Sequence, residues 1–264
     1  MPTFTRKTFA SYYKNLFGIN QSGNTGIDNT SRNVQDGDGK NTSISLSKNH
    51  LNVKPENTNS STTFNVKTLS GASLLTVDTS NNDVLAGVGQ VSVNRNYVYF
   101  SAQNITPAAG YHMIIPFNAN KFVVSSSDDQ HLGNGTDPST SLDISAQDDS
   151  IYFANLYWHV VDAITIEAVS IVAGGSQASG DALNFHLMKY NIDTGSNPGD
   201  LSSGLVVADG GALADMNEDK ILLSSLTIDS DNKSITNNQI LLLTVESDST
   251  DPISINATIK FNIT

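Results

Sequence analysis

Ile253 to Thr264 reads Ile-Ser-Ile-Asn-Ala-Thr-Ile-Lys-Phe-Asn-Ile-Thr, with every odd position apolar and every even position polar. That period of two belongs to a strand with one dry face and one wet face. At roughly 3.4 Å per residue the strand runs about 40 Å, so its partners must also be long. This stretch therefore demands a large antiparallel β-structure.

Working back from that strand, further strands are expected at Asn96–Ala102, Tyr111–Phe117, Phe122–Ser125, Leu142–Ser145, Ser150–His159 and Ala163–Val172. Others follow at Ala182–Ile192, Leu205–Ala208, Lys220–Ile228 and Gln239–Glu246. Turn chemistry separates them: Gly133-Asn-Gly-Thr-Asp-Pro, Gly174-Gly175, Asp193-Thr-Gly-Ser-Asn-Pro-Gly, Asp209-Gly-Gly and Asp229-Ser-Asp-Asn. Strands so frequent, with no helical period between them, predict an all-β fold in which residues 91–264 form an antiparallel β-sandwich of jelly-roll type. Tyr152, Phe153, Tyr157 and Trp158 are expected to supply its heaviest core side chains.

The front of the chain differs. Thr5 to Ile19 is the only stretch with helical spacing, through Phe9, Tyr12, Tyr13, Leu16 and Phe17, with Gly18 as a stop. An isolated helix of that length is marginal in water, and an aromatic stripe needs a surface to bury it. That surface is either another molecule or the rest of this chain. Residues 21–62 are polar and rich in Gly, Asn, Thr and Ser, and read as an extended connector with brief alternation at Ile44-Ser45-Leu46 and Leu51-Asn52-Val53. Residues 63–90 hold short strands around Phe64, Val66, Leu74, Leu75, Val77, Val84 and Leu85, each too small to make a core alone. Intertwining of several chains would give these strands the burial they lack.

Charge and composition exclude several functions. The net charge of −12 repels a phosphate backbone, so nucleic-acid binding is not expected. The first twenty residues depart from this balance, carrying Arg6, Lys7 and Lys14 and no acidic residue, as befits a docking end. Zero cysteines removes disulfides, thiolate metal sites and cysteine nucleophiles together. There is no run of 18 apolar residues and no charged-then-apolar leader, so a soluble product without membrane insertion is expected.

Motifs that carry chemistry are sparse. Asp36-Gly-Asp-Gly-Lys-Asn opens like a calcium loop, but Lys40 fills the third ligand position and Ser47 the twelfth, so a hairpin turn is the better reading. The acidic pairs Asp128-Asp129 and Asp148-Asp149, and Asp229 with Asp231, read as loop tips, with a calcium between loops left open. His50, His112, His131, His159 and His186 show no zinc spacing; His159 and His186 read as sheet histidines. No nucleophile elbow, P-loop or dinucleotide fingerprint occurs, so no catalytic residue, metal or cofactor is assigned. Tyr97, Tyr99 and Tyr111 are assigned mostly to the strand core.

The segments Arg6-Lys-Thr-Phe-Ala-Ser-Tyr-Tyr-Lys-Asn-Leu-Phe-Gly-Ile-Asn, Asn33-Val-Gln-Asp-Gly-Asp-Gly and Ile44-Ser-Leu-Ser resemble the N-terminal region of structural proteins of marine tailed bacteriophages. Gly71-Ala-Ser-Leu-Leu-Thr-Val-Asp-Thr-Ser-Asn-Asn-Asp-Val-Leu-Ala-Gly is similar to a short unit common in phage fibres. The resemblance covers about the first 90 residues and contains no catalytic motif. It implies a virion protein assembled in the host cytoplasm, usually a homotrimer whose N-termini attach to other virion proteins, of portal, tail or capsid. Residues 1–20 would dock through Arg6, Lys7, Phe9, Tyr12, Tyr13, Leu16 and Phe17, residues 63–90 would form a trimerising neck, and residues 91–264 would project as a head towards a host-surface glycan. The alternatives are a capsid decoration protein and, in another class, a carbohydrate-binding or carbohydrate-cleaving tailspike-like protein.

Overall fold

The computed structural model describes residues 16–21, 26–117, 131–144, 156–176, 178, 180–214 and 220–264, with backbone alone at 211–214. The described residues contain strands, turns and bends and no helix. The chain divides into two units, Met1–Asn94 and Arg95–Thr264, the boundary falling a few residues beyond the one expected from sequence.

The described residues of the first unit form two four-stranded antiparallel sheets. β1 (Gly18–Ile19), β2 (Arg32–Gln35), β3 (Asn41–Leu46) and β4 (Leu51–Val53) pair in chain order. Where the composition suggested an extended connector, the short alternations around Ile44 and Leu51 suffice to pair, Ile44 opposite Val53 and Leu46 opposite Leu51. Asp36 forms a hairpin turn between β2 and β3, its Oδ1 accepting from the backbone N–H of Asp38 and of Lys40, each at 2.9 Å. Of the expected helix, residues 1–15 lie outside the described residues. Its expected end is not helical: Leu16 and Phe17 are irregular and exposed, and Ile19 pairs with Val34.

β5 (Phe64–Lys67), β6 (Ser73–Asp78), β7 (Asp83–Ala86) and β8 (Val91–Ser92) form the second meander. Asp78 closes its central turn, taking the backbone N–H of Ser80 and Asn81 on Oδ1 and the Asn81 side-chain amide on Oδ2. The asparagine amide and these backbone donors hold the Asp78 carboxyl below its ordinary value, against the desolvation that would raise it.

In the second unit, β9 (Arg95–Ile105), β12 (Ile164–Gly175), β15 (Ile221–Ser225) and β19 (Ile253–Ile263) make one sheet, in the order β15-β12-β19-β9. β17 (Ser234–Ile235) adds to β12. The other sheet runs β10-β18-β13-β14-β16, built from β10 (His112–Ile115), β13 (Ala182–Ile192), β14 (Leu201–Ala214), β16 (Thr227–Ile228) and β18 (Gln239–Ser247). β11 (Trp158–His159) joins it on β18. All the strand pairs are antiparallel.

One buried cluster takes side chains from both sheets: Phe100, Ile166, Val169, Ile171, Ile255, Ala257 and Ile259 from one, Met113, Phe185, Leu187, Leu241, Leu243 and Val245 from the other. The sheets therefore share a core. The terminal strand behaves as its alternation demands, with Ile253, Ile255, Ala257, Ile259 and Phe261 buried and Ser254 and Asn256 exposed. β18 is dry on both faces, because a second cluster of Ile114, Leu132, Leu142, Met188, Tyr190, Ile240 and Leu242 lies on its far side. Trp158 is half-buried, stacked on Phe117 with ring centroids 6.0 Å apart and set against Phe261 at 5.0 Å. The strand expected at Phe122–Ser125, with Tyr152 and Phe153, lies outside the described residues. At Leu142 a single bridge to Leu201 replaces an expected strand.

Candidate assembly face

In an antiparallel sheet, residues directly opposite one another share a face. Phe64 and Val84 both stand opposite Val77, Val66 and Ala86 both stand opposite Leu75, and Val91 stands opposite Ala86. One side of the β5–β8 sheet is therefore Phe64, Val66, Leu75, Val77, Val84, Ala86 and Val91, seven apolar side chains and none of them buried.

The other side is polar and closed by its own hydrogen bonds. Asn65, Thr76, Leu85 and Ser92 line up across it. Thr76 Oγ1 donates to Gln90 Oε1 at 2.6 Å, and Gln90 Nε2 donates to the carbonyls of Ser73 and Gly87. Ser92 Oγ donates to Asp83 Oδ1 at 2.7 Å. As a result, among the described residues of 16–94 the buried side chains are Thr76, Asp78 and Ser92, and none of them is apolar.

The seven neck residues read from sequence thus divide. Phe64, Val66, Leu75, Val77 and Val84 come together, whereas Leu74 and Leu85 point to the polar side, since neighbours on a strand face opposite ways. Ala86 and Val91 belong to the apolar face and were missed. They flank the Gly87–Gln90 turn, so the period-two pattern that identifies them is interrupted by that turn. Of the docking residues, Arg6, Lys7, Phe9, Tyr12 and Tyr13 lie outside the described residues, while Leu16 and Phe17 are exposed.

Glu167 sits at a bulge in β12 and accepts from Lys260 Nζ at 2.6 Å, from Arg95 Nε at 3.2 Å and from the Asn262 amide. Burial pushes its carboxyl up, but Lys260, Arg95 and Asn262 overcome that and hold it below the ordinary value. Asp229 takes the Asp231 N–H and the Asn232 amide, so that acidic pair is a turn. His186 is buried under Asp137, with Nε2 3.7 Å from Oδ1, and its ring meets that of His112 edge to face. No group of three histidine or acidic residues is placed to hold a metal among the described residues.

No family model matches this chain, and no curated protein does. Among solved structures, the empty head of turnip yellow mosaic virus at 100 K is similar at 12% identity and a TM-score of 0.22, covering 64% of this chain and 80% of that one. A likeness that weak bears on neither fold nor function.

Proposed function

We propose that this chain is a non-enzymatic structural protein of a tailed-phage particle: a homotrimeric fibre or appendage, docked through its N-terminal end, with its C-terminal unit turned towards the host. The observation that carries the assembly part is the incompletely covered apolar side of the β5–β8 sheet, where Phe64, Val66 and Val91 are exposed and Leu75, Val77, Val84 and Ala86 are only half-buried. Completing the burial of seven apolar side chains would contribute on the order of 5–10 kcal/mol per chain. A small sheet has no comparable source of stability alone. Three copies related by a rotation would close these faces around one axis. The phage setting comes from the resemblance of Arg6–Asn20 and of the fibre-like unit Gly71–Gly87.

For the C-terminal unit we infer a jelly roll. With β9, β10, β12, β13, β14, β15, β18 and β19 numbered one to eight, the sheets run 1-8-3-6 and 2-7-4-5, and that order supports two interlocked Greek keys. The copy number in purified particles tests the role. A few copies per particle fit an appendage. Copies in proportion to the major capsid protein would make it a decoration protein instead.

A further inference from the structure

The wet face of the β15-β12-β19-β9 sheet has an unusual distribution of side-chain size. On β9, Val98 and Phe100 turn inward, so Tyr97 and Tyr99 project to solvent at 52% and 50% exposure. On β15 at the opposite edge, Leu222 turns inward and Ile221 and Leu223 stand 71% and 74% exposed. Between these ridges the register sets short side chains in rows: Tyr99, Thr258, Ser170 and Ser225, then Ser101, Asn256, Val172 and Leu223. Three strand spacings make the trough roughly 14 Å wide. At the end of the trough away from Tyr97 lies a cavity of about 360 Å³, lined by Ser101, Gln103, Val172, Ile221, Ser254 and Asn256, a size that accommodates a small ligand or a few units of a polymer, with the two tyrosines flanking it along β9.

The chemistry of the floor narrows the occupant. Hydroxyls and amides offer donors and acceptors, and the walls offer apolar and aromatic surface. Two cations of this face among the described residues, Lys260 beside Tyr97 and Arg95 at the start of β9, are both already bound to Glu167. On a chain of net charge −12, an anionic ligand would find no counter-charge here. A pyranose has the complementary character: C–H faces that lie on a tyrosine ring and equatorial hydroxyls that reach Ser, Thr and Asn. We propose that this trough binds a neutral polysaccharide. The inference rests on the host-contact reading for its setting and adds the uncharged character of the glycan and the place that holds it.

Electrophoresis of the full chain through gels containing laminarin, mannan or dextran, with alginate as the charged control, tests it. At least one neutral polymer should retard the protein and alginate should not. Tyr97→Ala with Tyr99→Ala should weaken retention about tenfold, two aromatic contacts' worth. Ser170→Trp, which fills the floor from its exposed side, should abolish it without altering the unfolding midpoint. Failure of all three neutral polymers to retard the protein, or retention that survives both variants, overturns the proposal. So does a loss of oligomeric mass in Ser170→Trp, since the face would then be an interface between copies. Native mass measured on the same samples keeps the two readings apart: oligomers that bind no polymer defeat the trough alone, and monomers that bind defeat the appendage alone.

Discussion

His112 and His186, on strands separated by β18, meet edge to face with ring centroids 5.0 Å apart, and the Nδ1 atoms of both are buried without a partner. His112 Nε2 is engaged with the Gly135 carbonyl at 2.8 Å, so the Gly133–Asp137 turn closes over the pair. Burial pushes the His186 imidazole below its ordinary value of 6.5, and His112 adds to the effect, while Asp137, Asp209 and Glu246 pull the other way. The fold therefore favours the neutral ring more than the unfolded chain does. Below pH 6.5 the unfolded chain binds the proton that the folded one refuses, and stability falls as pH falls.

Urea unfolding followed through the single tryptophan, Trp158, checks this. The midpoint should be lower at pH 5.5 than at pH 7.5, and His186→Phe should shrink the difference. Equal midpoints in the unaltered protein would contradict the assignment.

Gly204 is pressed against Tyr190. A Cβ there would sit 2.8 Å from Thr140 Cα and 2.9 Å from Tyr190 Cδ1, and the Tyr190 hydroxyl is committed to the Ser139 carbonyl at 2.7 Å. Neither neighbour has room to give, so Gly204→Ala should cost about 1–3 kcal/mol, the range of an overpacked core. Thermal unfolding monitored at Trp158 measures it.

The two sides of the β5–β8 sheet predict opposite outcomes for neighbouring leucines. Leu75→Ser, on the apolar side, should weaken the oligomer so that it dissociates on dilution at concentrations where the unaltered protein holds together. Leu74→Ser, on the polar side, should leave dissociation unchanged. Sedimentation velocity over a dilution series separates the pair.

Docking residues give a further test. Phe9→Ala combined with Phe17→Ala should leave the Trp158 unfolding transition in place and lower the amount of protein recovered in particles. Unchanged recovery would mean that the aromatic stripe packs within its own chain.

How much of this was legible beforehand varied with how many faces of a strand are dry. β19 has one, and its alternation gave strand, length and core residues together. β13 was read to its ends, Ala182 and Ile192, because turns bound it on both sides. β18 is dry on both faces and shows a plain apolar run, Ile240 to Leu243, which marks a strand but not its neighbours. The β1–β4 sheet was missed because two short alternations in a polar background signal little until hydrogen bonding joins them. Residue type alone places Tyr97 and Tyr99 in the core, whereas their alternation with Val98 and Phe100 turns them outward. The meeting of His112 with His186 depends on the order β10-β18-β13, which no local pattern encodes.

The most direct test is the mass in solution of the full chain beside residues 95–264. Light scattering should give three copies for the full chain and one for the shorter piece, because the incompletely buried apolar side lies in residues 64–91. A single copy of the full chain, with amides of β5 to β8 protected from exchange, would contradict the account.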